Sequence, residues 1–263
     1  MLSPSRSILV WFLICLLIVV WLPLLSVIRI FDRDPVAYRT GRMFRRLGKA
    51  MTQVNPSWQV IVSGETIENV RNPYVVVSNH QSLADIPIIS NLPWEMKWIG
   101  KDVLFRLPII GWMMKLSKDI AVDRDDARSG ARALLKARDV LTKHCSIMMF
   151  PEGTRSRDGR IYRFTDGAFH LAIKAQVPVL PIAVDGSFNC LPKNTWRFGE
   201  PSTINVKVLP AVPTQGFTSA DLPALREKVR SLIVAQVVEW RGDDPSVVDA
   251  TIAQPVSETK NPA

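Results

Sequence analysis

His80 and Asp85 are the residues of this chain whose types and spacing best suit acid–base chemistry. Both lie in the segment Asn79–Asp85, which follows an apolar β-branched run and precedes an apolar run typical of a helix. Residues five apart lie about 140° around a regular helix, so the two side chains meet only if His80 lies in the turn and Asp85 in the first helical turn. Asp85 then fixes the imidazole tautomer, and the other ring nitrogen accepts a proton from a hydroxyl.

The alternative for this pair is a satisfied, partly buried histidine and an aspartate that caps a helix, because a His and an Asp at this spacing are a weak signal alone. Ser82 lacks the G-x-S-x-G turn of a serine nucleophile. A covalent acyl-enzyme is therefore disfavoured, and Ser82 is expected to cap the turn. His144 and His170 stand in no comparable block and are interpreted as a surface residue and a helix residue.

A second polar block, Glu152-Gly153-Thr154-Arg155, follows another apolar run. Glycine lets the backbone approach a ligand closely, while the threonine hydroxyl and the arginine fork are suited to phosphate. Lys101 and Arg124 are further candidates for this anion site. The alternatives are an ion pair within the block, pairing of Arg124 with its neighbouring aspartates, and a solvated surface lysine at position 101.

Strand and helix patterns alternate along the chain, which predicts an α/β fold with a mixed sheet covered by helices. Strands are predicted at 58–62, 73–78, 95–99, 120–122, 146–150, 177–184 and 204–209, and helices at 86–91, 127–141, 167–175 and 222–240. The strand at 177–184 is expected to be broken by Pro178 and Pro181. The composition of 242–263 predicts a disordered tail. The chain thus divides into 1–54, the main domain 55–241, and the tail 242–263.

Residues 8–25 carry no charged side chain and are just numerous enough to cross a bilayer core. Trp11 and Trp21 lie near the ends of this stretch, as interfacial aromatic residues do. No small-residue cleavage site follows, so a retained membrane anchor is predicted rather than a cleaved signal peptide. Pro23 leaves open a bent, monotopic insertion instead of a full span.

The basic residues near this anchor lie mostly on its C-terminal side, which predicts that the main domain faces the cytoplasm at the inner membrane. Only Arg6 precedes the apolar stretch, and the following basic residues are Arg29, Arg33, Arg39, Arg42, Arg45, Arg46 and Lys49. Phe44, Leu47 and Met51 share one helical face. A basic amphipathic helix at the lipid interface is therefore expected within 31–54, with a surface helix packed on the domain as the alternative.

The net charge of +9 and the pI of about 9.7 favour anionic partners such as nucleic acid, a membrane surface or phosphorylated substrates. The basic residues cluster beside the apolar anchor and no nucleic-acid motif is present, which favours the membrane over nucleic acid. Cys15, Cys145 and Cys190 are too far apart for a CxxC pair. Neither a disulfide framework nor a zinc site is expected.

Four blocks of the chain stand in an order that resembles the glycerolipid acyltransferase family. They are Asn79–Asp85, Asp123-Arg124, Phe150–Ser156 and Val177–Pro181, within a resemblance that covers roughly Tyr74 to Val184. The resemblance implies a membrane-associated enzyme of phospholipid biosynthesis. It would transfer a fatty acyl group from acyl-CoA or acyl-carrier protein to the free hydroxyl of 1-acyl-sn-glycerol 3-phosphate, giving phosphatidic acid.

The resemblance also implies roles for residues. His80 would be the general base and Asp85 its orienting partner, and the Pro178/Pro181 block would line the substrate cavity. The acceptor site would comprise Lys101, Arg124, Glu152, Gly153, Thr154 and Arg155. No metal or redox cofactor is implied. The implied partners are a lysophospholipid acceptor, the acyl donor and membrane lipids, without nucleic acid.

Two features leave alternatives open. Family members often carry Lys where this chain has Thr165-Asp166, so another lyso-lipid or glycerol phosphate is an alternative acceptor. Two further hypotheses remain: a non-catalytic membrane-binding protein with the same fold, and a lipid hydrolase. The apolar stretch Leu104–Met114 is interpreted either as a contact for acyl chains or lipid, or as an ordinary core helix.

Overall fold

The computed structural model describes residues 1–192 and 195–252 and contains one seven-stranded sheet of order β1-β7-β6-β2-β5-β3-β4. The strands are β1 (Trp58–Gly64), β2 (Val75–Ser78), β3 (Met96–Lys101), β4 (Ile120–Val122), β5 (Ser146–Met149), β6 (Val179–Asp185) and β7 (Ser202–Val208). The helices are α1 (Pro4–Phe31), α2 (Tyr38–Gln53), α3 (Asp85–Ile89), α4 (Ile110–Leu116), α5 (Ala127–Thr142), α6 (Gly167–Ala175), α7 (Leu222–Arg241) and α8 (Pro245–Val248). The β6–β7 pair is antiparallel and the other pairs are parallel, so the predicted mixed sheet is confirmed.

The central strands send alternate residues into two apolar layers, one on each face of the sheet. Val75 and Val77 of β2 join the layer formed with α5, α6 and α7. Val76 joins the opposite layer, which includes Ile88 of α3 and Val10 of α1. Because both faces are covered, β2 is an uninterrupted apolar strand whose residues are all buried.

Five strands end at one edge of the sheet and bring the polar blocks together there. β6, β2, β5, β3 and β4 run parallel in that order. In a parallel sheet the segments that follow the carboxyl ends of the strands line a common crevice. The His80 segment follows β2, Glu152–Arg155 follow β5, Lys101 ends β3, and Arg124 follows β4.

The prediction that prolines break the sixth strand is wrong for Pro181. β6 runs without interruption through this residue, which pairs with Val77 of β2. Pro181 lacks an N–H donor, but its carbonyl still accepts from the Leu209 N–H at 3.0 Å. A strand tolerates proline where the missing donor is not needed for the ladder.

The apolar face of α2 points into the protein, so the prediction of a lipid-facing amphipathic helix is corrected. Leu47 is 1% exposed, and Phe44 and Met51 pack with it against α1 and α4. Arg45 is also buried, whereas Arg46 and Lys49 on the outer face are exposed. The alternative of a surface helix packed on the domain therefore describes α2.

Arg45 belongs to a buried group of four charged residues, called here the charge cluster: Arg45, Glu95, Lys97 and Asp119. Arg45 donates to Asp119 at 2.5 Å, and Lys97 Nζ donates to Glu95 at 2.8 Å. Arg45 Nε and Glu95 Oε2 lie 3.6 Å apart without a hydrogen bond. The cluster joins α2 to β3 and to the residue that precedes β4.

Helix α1 is longer than the predicted apolar stretch and packs on the domain at both ends. Near its start, the Leu2 N–H donates to the Phe198 carbonyl at 3.0 Å, and Trp11 Nε1 donates to the Trp196 carbonyl at 2.7 Å. Farther along, Leu25 is fully buried and Trp21 Nε1 donates to the Met43 carbonyl at 2.9 Å. The core cluster of Val10 and Ile14 includes strand residues, so 1–54 is not a separately packed unit.

The disordered tail predicted from Gly242 is wrong as far as residue 252. Arg230 of α7 forms a buried ion pair with Asp249, and Val248 of α8 is fully buried. The Ile161 N–H also donates to the Val248 carbonyl at 2.8 Å. These contacts offset the low hydrophobicity of the segment. Residues 253–263 of the predicted tail lie outside the described residues.

Candidate active site

The predicted contact between His80 and Asp85 is present. His80 follows β2 in the turn, and Asp85 is the first residue of α3. Their side chains meet at 2.8 Å between Nδ1 and Oδ2. This contact assigns the proton to Nδ1, leaving Nε2 as a lone-pair acceptor with no hydrogen-bond partner among the described residues.

Asp85 is completely buried and accepts hydrogen bonds from several neutral donors. The backbone N–H groups of Gln81 and Ser82 donate to Oδ2 at 2.7 and 2.9 Å, and the Ser187 hydroxyl donates to Oδ1. Such donors stabilise the ionised carboxylate without neutralising it. These contacts fix the carboxylate beside the imidazole and hold the orientation of the ring.

Glu152 is not arranged as a phosphate ligand, because its carboxylate accepts hydrogen bonds from two backbone N–H groups. Its Oε1 accepts from the His80 N–H at 2.7 Å, and its Oε2 accepts from the Tyr162 N–H at 2.9 Å. The side chain is 8% exposed, and burial raises the pKa of this carboxyl to about 7. Glu152 therefore positions the peptide that carries the imidazole.

The loop after β5 holds His80 by two further contacts. The Ser156 N–H donates to the His80 carbonyl at 2.8 Å. Phe150 stacks on the imidazole with ring centroids 3.9 Å apart and planes inclined by 13°. The imidazole is thus fixed in the ring plane by Asp85 and across the ring face by Phe150.

Arg155, Lys101 and Arg124 lie at the same sheet edge as His80: Lys101 ends β3, and Arg155 and Arg124 lie in the segments after β5 and β4. These strands are the first, second and third neighbours of β2 on this side of the sheet: β5, β3 and β4. Arg124 forms no ion pair with any residue in 1–192 or 195–252. The alternative that its neighbouring aspartates neutralise it is therefore not supported. Their roles in binding substrate stay a prediction.

Gly153 adopts a φ of +72°, which an L side chain rarely adopts. A Cβ placed on it would meet no atom within 4 Å, so this side of the loop borders open space. Thr154 is exposed next to it. The turn therefore leaves room for a ligand, and binding of an anion there stays a prediction.

Other predicted residues have structural roles. Ser82 is buried and its hydroxyl accepts from the Ala84 N–H at 3.3 Å, which confirms the expected turn contact. His144 is exposed and His170 lies in α6, as expected. Asp166 forms an ion pair with Arg226 of α7.

Sequence reasoning missed Ser187 and Phe150 as parts of the site. Ser187 follows Asp185-Gly186 at the end of β6, and Gly186 has a φ of +87°. A glycine and a serine after a buried strand at the common edge were the available signal. Gln81 Nε2 also donates to Asp185 at 3.1 Å, and Arg241 donates to the same carboxylate at 3.0 Å.

The model for the acyltransferase family matches residues 59–185. The chain is 34% identical over 190 residues to a 1-acyl-sn-glycerol-3-phosphate acyltransferase of Chlamydomonas reinhardtii, covering 72% of this chain and 57% of that protein. It is 39% identical over 160 residues to the mouse (Mus musculus) 1-acyl-sn-glycerol-3-phosphate acyltransferase alpha, covering 60% of this chain and 56% of that protein. This chain thus spans little more than half the length of either relative.

A solved structure is also similar to this chain. The crystal structure of the 1-acyl-sn-glycerophosphate (LPA) acyltransferase PlsC from Thermotoga maritima superposes with a TM-score of 0.76 at 28% identity. The similarity covers 91% of this chain and 96% of that one.

Proposed function

Because this chain belongs to the acyltransferase family, we propose that it acylates the free hydroxyl of 1-acyl-sn-glycerol 3-phosphate and forms phosphatidic acid. The observation that carries this proposal is the His80–Asp85 contact of 2.8 Å, with Nε2 of the imidazole unpartnered among the described residues. The acyl donor is a thioester of coenzyme A or of acyl-carrier protein. The relatives' names support the same reaction.

In the reaction, His80 Nε2 takes the proton of the acceptor hydroxyl while the hydroxyl oxygen attacks the thioester carbonyl. The imidazolium that forms is stabilised by the buried charge of Asp85. Collapse of the tetrahedral intermediate breaks the carbon–sulfur bond, and the leaving thiolate takes the proton from the imidazolium. Among the described hydrogen bonds, the Ser82 hydroxyl accepts from the Ala84 N–H and makes none with the imidazole, which supports direct attack by the acceptor rather than an acyl-serine.

The acceptor phosphate binds beside the base, where Arg155, Lys101 and Arg124 follow or end neighbouring strands of the same sheet edge. Gly153 and Thr154 border the same space. Glu152 supports the base instead of contacting phosphate, because its two carboxylate oxygens already hold backbone N–H groups. A guanidinium and a phosphate form strong charge-assisted hydrogen bonds.

Membrane association follows from α1, which is long and apolar enough to cross a membrane by length and composition and is the one such helix within the described ranges. One of its faces stays exposed along the whole helix and comprises Ile8, Leu9, Phe12, Leu16, Val19, Val20, Leu24, Val27, Ile30 and Phe31. The domain contacts α1 at both ends, which supports a monotopic helix lying in one leaflet rather than a full span. The catalytic domain then faces the cytoplasm at the inner membrane.

The test uses purified protein in detergent with labelled oleoyl-CoA and four acceptors: lysophosphatidic acid, glycerol 3-phosphate, lysophosphatidylcholine and a lyso-aminolipid. His80→Ala is compared with the control variant His144→Asn. His144 is exposed, and its backbone has a left-handed conformation that asparagine tolerates. We expect transfer to lysophosphatidic acid that is lost in His80→Ala and retained in His144→Asn. Circular dichroism verifies that both variants are folded.

Transfer in the His80→Ala variant at the wild-type rate would remove His80 as the base. Transfer only to another acceptor would retain the mechanism but change the substrate, as the Thr165-Asp166 position allows. No transfer from oleoyl-CoA or from acyl-carrier protein to any acceptor would favour a non-catalytic membrane protein.

A further inference from the structure

A cleft of about 570 Å³ opens between the C-terminal half of α1 and α4. The α1 side contributes Leu22, Ser26 and Arg29, which are four and three positions apart and share a helical face. The α4 side contributes Trp112, Lys115 and Leu116. We call this cleft the α1–α4 groove.

The charged side chains of the α1–α4 groove are all cations. Arg29 and Lys115 line it together with Lys118, and no acidic residue does. Within the described part of the chain, none of the three forms an ion pair. Arg29 and Lys118 instead donate to the backbone carbonyls of Asp32 and Pro35 at 2.9 and 2.8 Å. Three positive charges thus stand together without an ion pair in the described residues, although Arg29 acts electrostatically on the Asp32 carboxylate.

Apart from Ser26, the remaining lining of the groove is apolar, and the apolar residues of the neighbouring face of α1 are exposed. Leu22 and Leu116 pack on a small core formed by Leu25, Leu47 and Met113. Trp112 is 52% exposed at the groove, a costly position in water but a favourable one at a membrane interface. The groove therefore combines cations for a head group with an apolar wall for a chain.

We propose that the α1–α4 groove binds an anionic membrane phospholipid, separately from the substrate at the His80 site. Its phosphate lies among Arg29, Lys115 and Lys118, and its acyl chains run along Leu22 and Trp112. A cleft of this volume is within the range of small-molecule sites. The charge complementarity selects an anionic over a zwitterionic head group. This proposal does not depend on the proposed acyltransferase activity.

The test measures binding of dihexanoyl phosphatidylglycerol, dihexanoyl phosphatidylcholine and inorganic phosphate to the full chain in non-ionic detergent, by calorimetry and native mass spectrometry. We expect saturable binding of phosphatidylglycerol in preference to phosphatidylcholine. The double variant Arg29→Gln/Lys115→Gln should weaken that binding about 25-fold, since each cation near a membrane surface strengthens binding about fivefold. Ser26→Phe should weaken it as well, because the ring fills the groove without changing the net charge.

The matched control is Arg128→Gln/Lys136→Gln, which removes two exposed cations from α5 on the opposite face of the sheet. It should leave phosphatidylglycerol binding unchanged. Equal loss in the control would assign binding to diffuse charge and overturn the site. Equal binding of phosphatidylcholine, or equally tight binding of phosphate alone, would overturn the anionic-lipid assignment.

Acyl transfer in detergent separates this proposal from the proposed function. The groove variants should retain transfer to micellar lysophosphatidic acid, because none of their substitutions touches the His80 site. Retained transfer with unaltered phosphatidylglycerol binding would refute the groove alone. Lost lipid binding in the groove variants, with no transfer in any protein, would refute the activity alone.

Discussion

The His80 site and the charge cluster both bury two carboxylates, yet they balance them in opposite ways. Asp85 and Glu152 accept hydrogen bonds from backbone N–H groups and a hydroxyl, and neither forms an ion pair with a lysine or arginine of the described residues. Glu95 and Asp119 face Lys97 and Arg45, so two negative charges meet two positive ones. The first network can stabilise a new positive charge on the imidazole, whereas the second is already neutral.

The two regions also differ in how completely their polar atoms are paired. Within the described residues, the carboxylate oxygens of Asp85 and Glu152 all have hydrogen-bond partners, whereas Arg45 Nε, Glu95 Oε2 and Asp119 Oδ2 have none. A site that must hold an imidazole within tenths of an ångström depends on such complete pairing. The charge cluster only has to join α2 to β3, and Coulomb attraction over 3.6 Å is sufficient for that.

The largest effect is expected from breaking the charge cluster. Arg45→Met removes a buried cation and leaves Asp119 without its partner, which should lower the free energy of unfolding by about 3–5 kcal/mol. The measurement is chemical or thermal unfolding. Arg46→Met, at the exposed neighbouring position, is the control and should change stability little. A fully stable Arg45→Met protein would show that the cluster is dispensable.

Asp85→Asn should lower kcat about 100- to 1,000-fold while the protein stays folded. The amide oxygen can keep the contacts of Oδ2, and its NH2 group can donate to the Ser187 hydroxyl, but the negative charge is lost. Asp85→Ala should lose stability too, because four donors are then left without this acceptor. Steady-state kinetics and unfolding curves test this pair. Wild-type kcat in Asp85→Asn would mean that charge at this position is irrelevant.

Glu152→Gln should lower stability by about 1–3 kcal/mol and lower kcat, since a glutamine offers one acceptor to two N–H donors. The pH dependence should change as well. In the wild type, the folded carboxyl has a pKa of about 7 against an ordinary value of 4.5. Its contribution to the free energy of unfolding is therefore highest below about pH 4.5 and is lost as the pH rises to about 7.

Urea unfolding from pH 4.5 to 8 should show this decline in the wild type and a smaller one in Glu152→Gln. The His80 N–H donates to Glu152, and Asp85 and Arg230 also act on Glu152 electrostatically. The double variant with His80→Ala isolates the Glu152 contribution. If the free energy of unfolding changed with pH equally in proteins with and without Glu152, the raised pKa of this buried carboxyl would be contradicted.

The smallest effect is expected for Ser187→Ala, which removes one of the four donors to Asp85. kcat should fall about fivefold, because a single hydrogen bond contributes on the order of 1 kcal/mol. Ser231→Ala, at an exposed position on α7, is the matched control. A loss as large as that of Asp85→Asn would instead make Ser187 indispensable for holding the carboxylate.

Most of the secondary structure was predictable, because the strands and the amphipathic helices carry clear periodicity in their own residues. α5 begins at the predicted Ala127, and β1 begins at the predicted Trp58. The direction in which α2 points its apolar face was not predictable. Its pattern fits lipid and protein equally well, and only the buried partners Leu25 and Met113 distinguish them.

The sequence by itself determined the His80–Asp85 contact and the alternating α/β order. Both depend on residues near each other along the chain, where turn geometry and side-chain periodicity constrain the structure directly. Tertiary structure decided the rest of the site: that Glu152 holds the His80 backbone, that Ser187 supports Asp85 across 102 positions, and that Arg45 is buried. Each of these depends on which strands become neighbours and on which side chains are then buried away from water. No local sequence pattern carries that information.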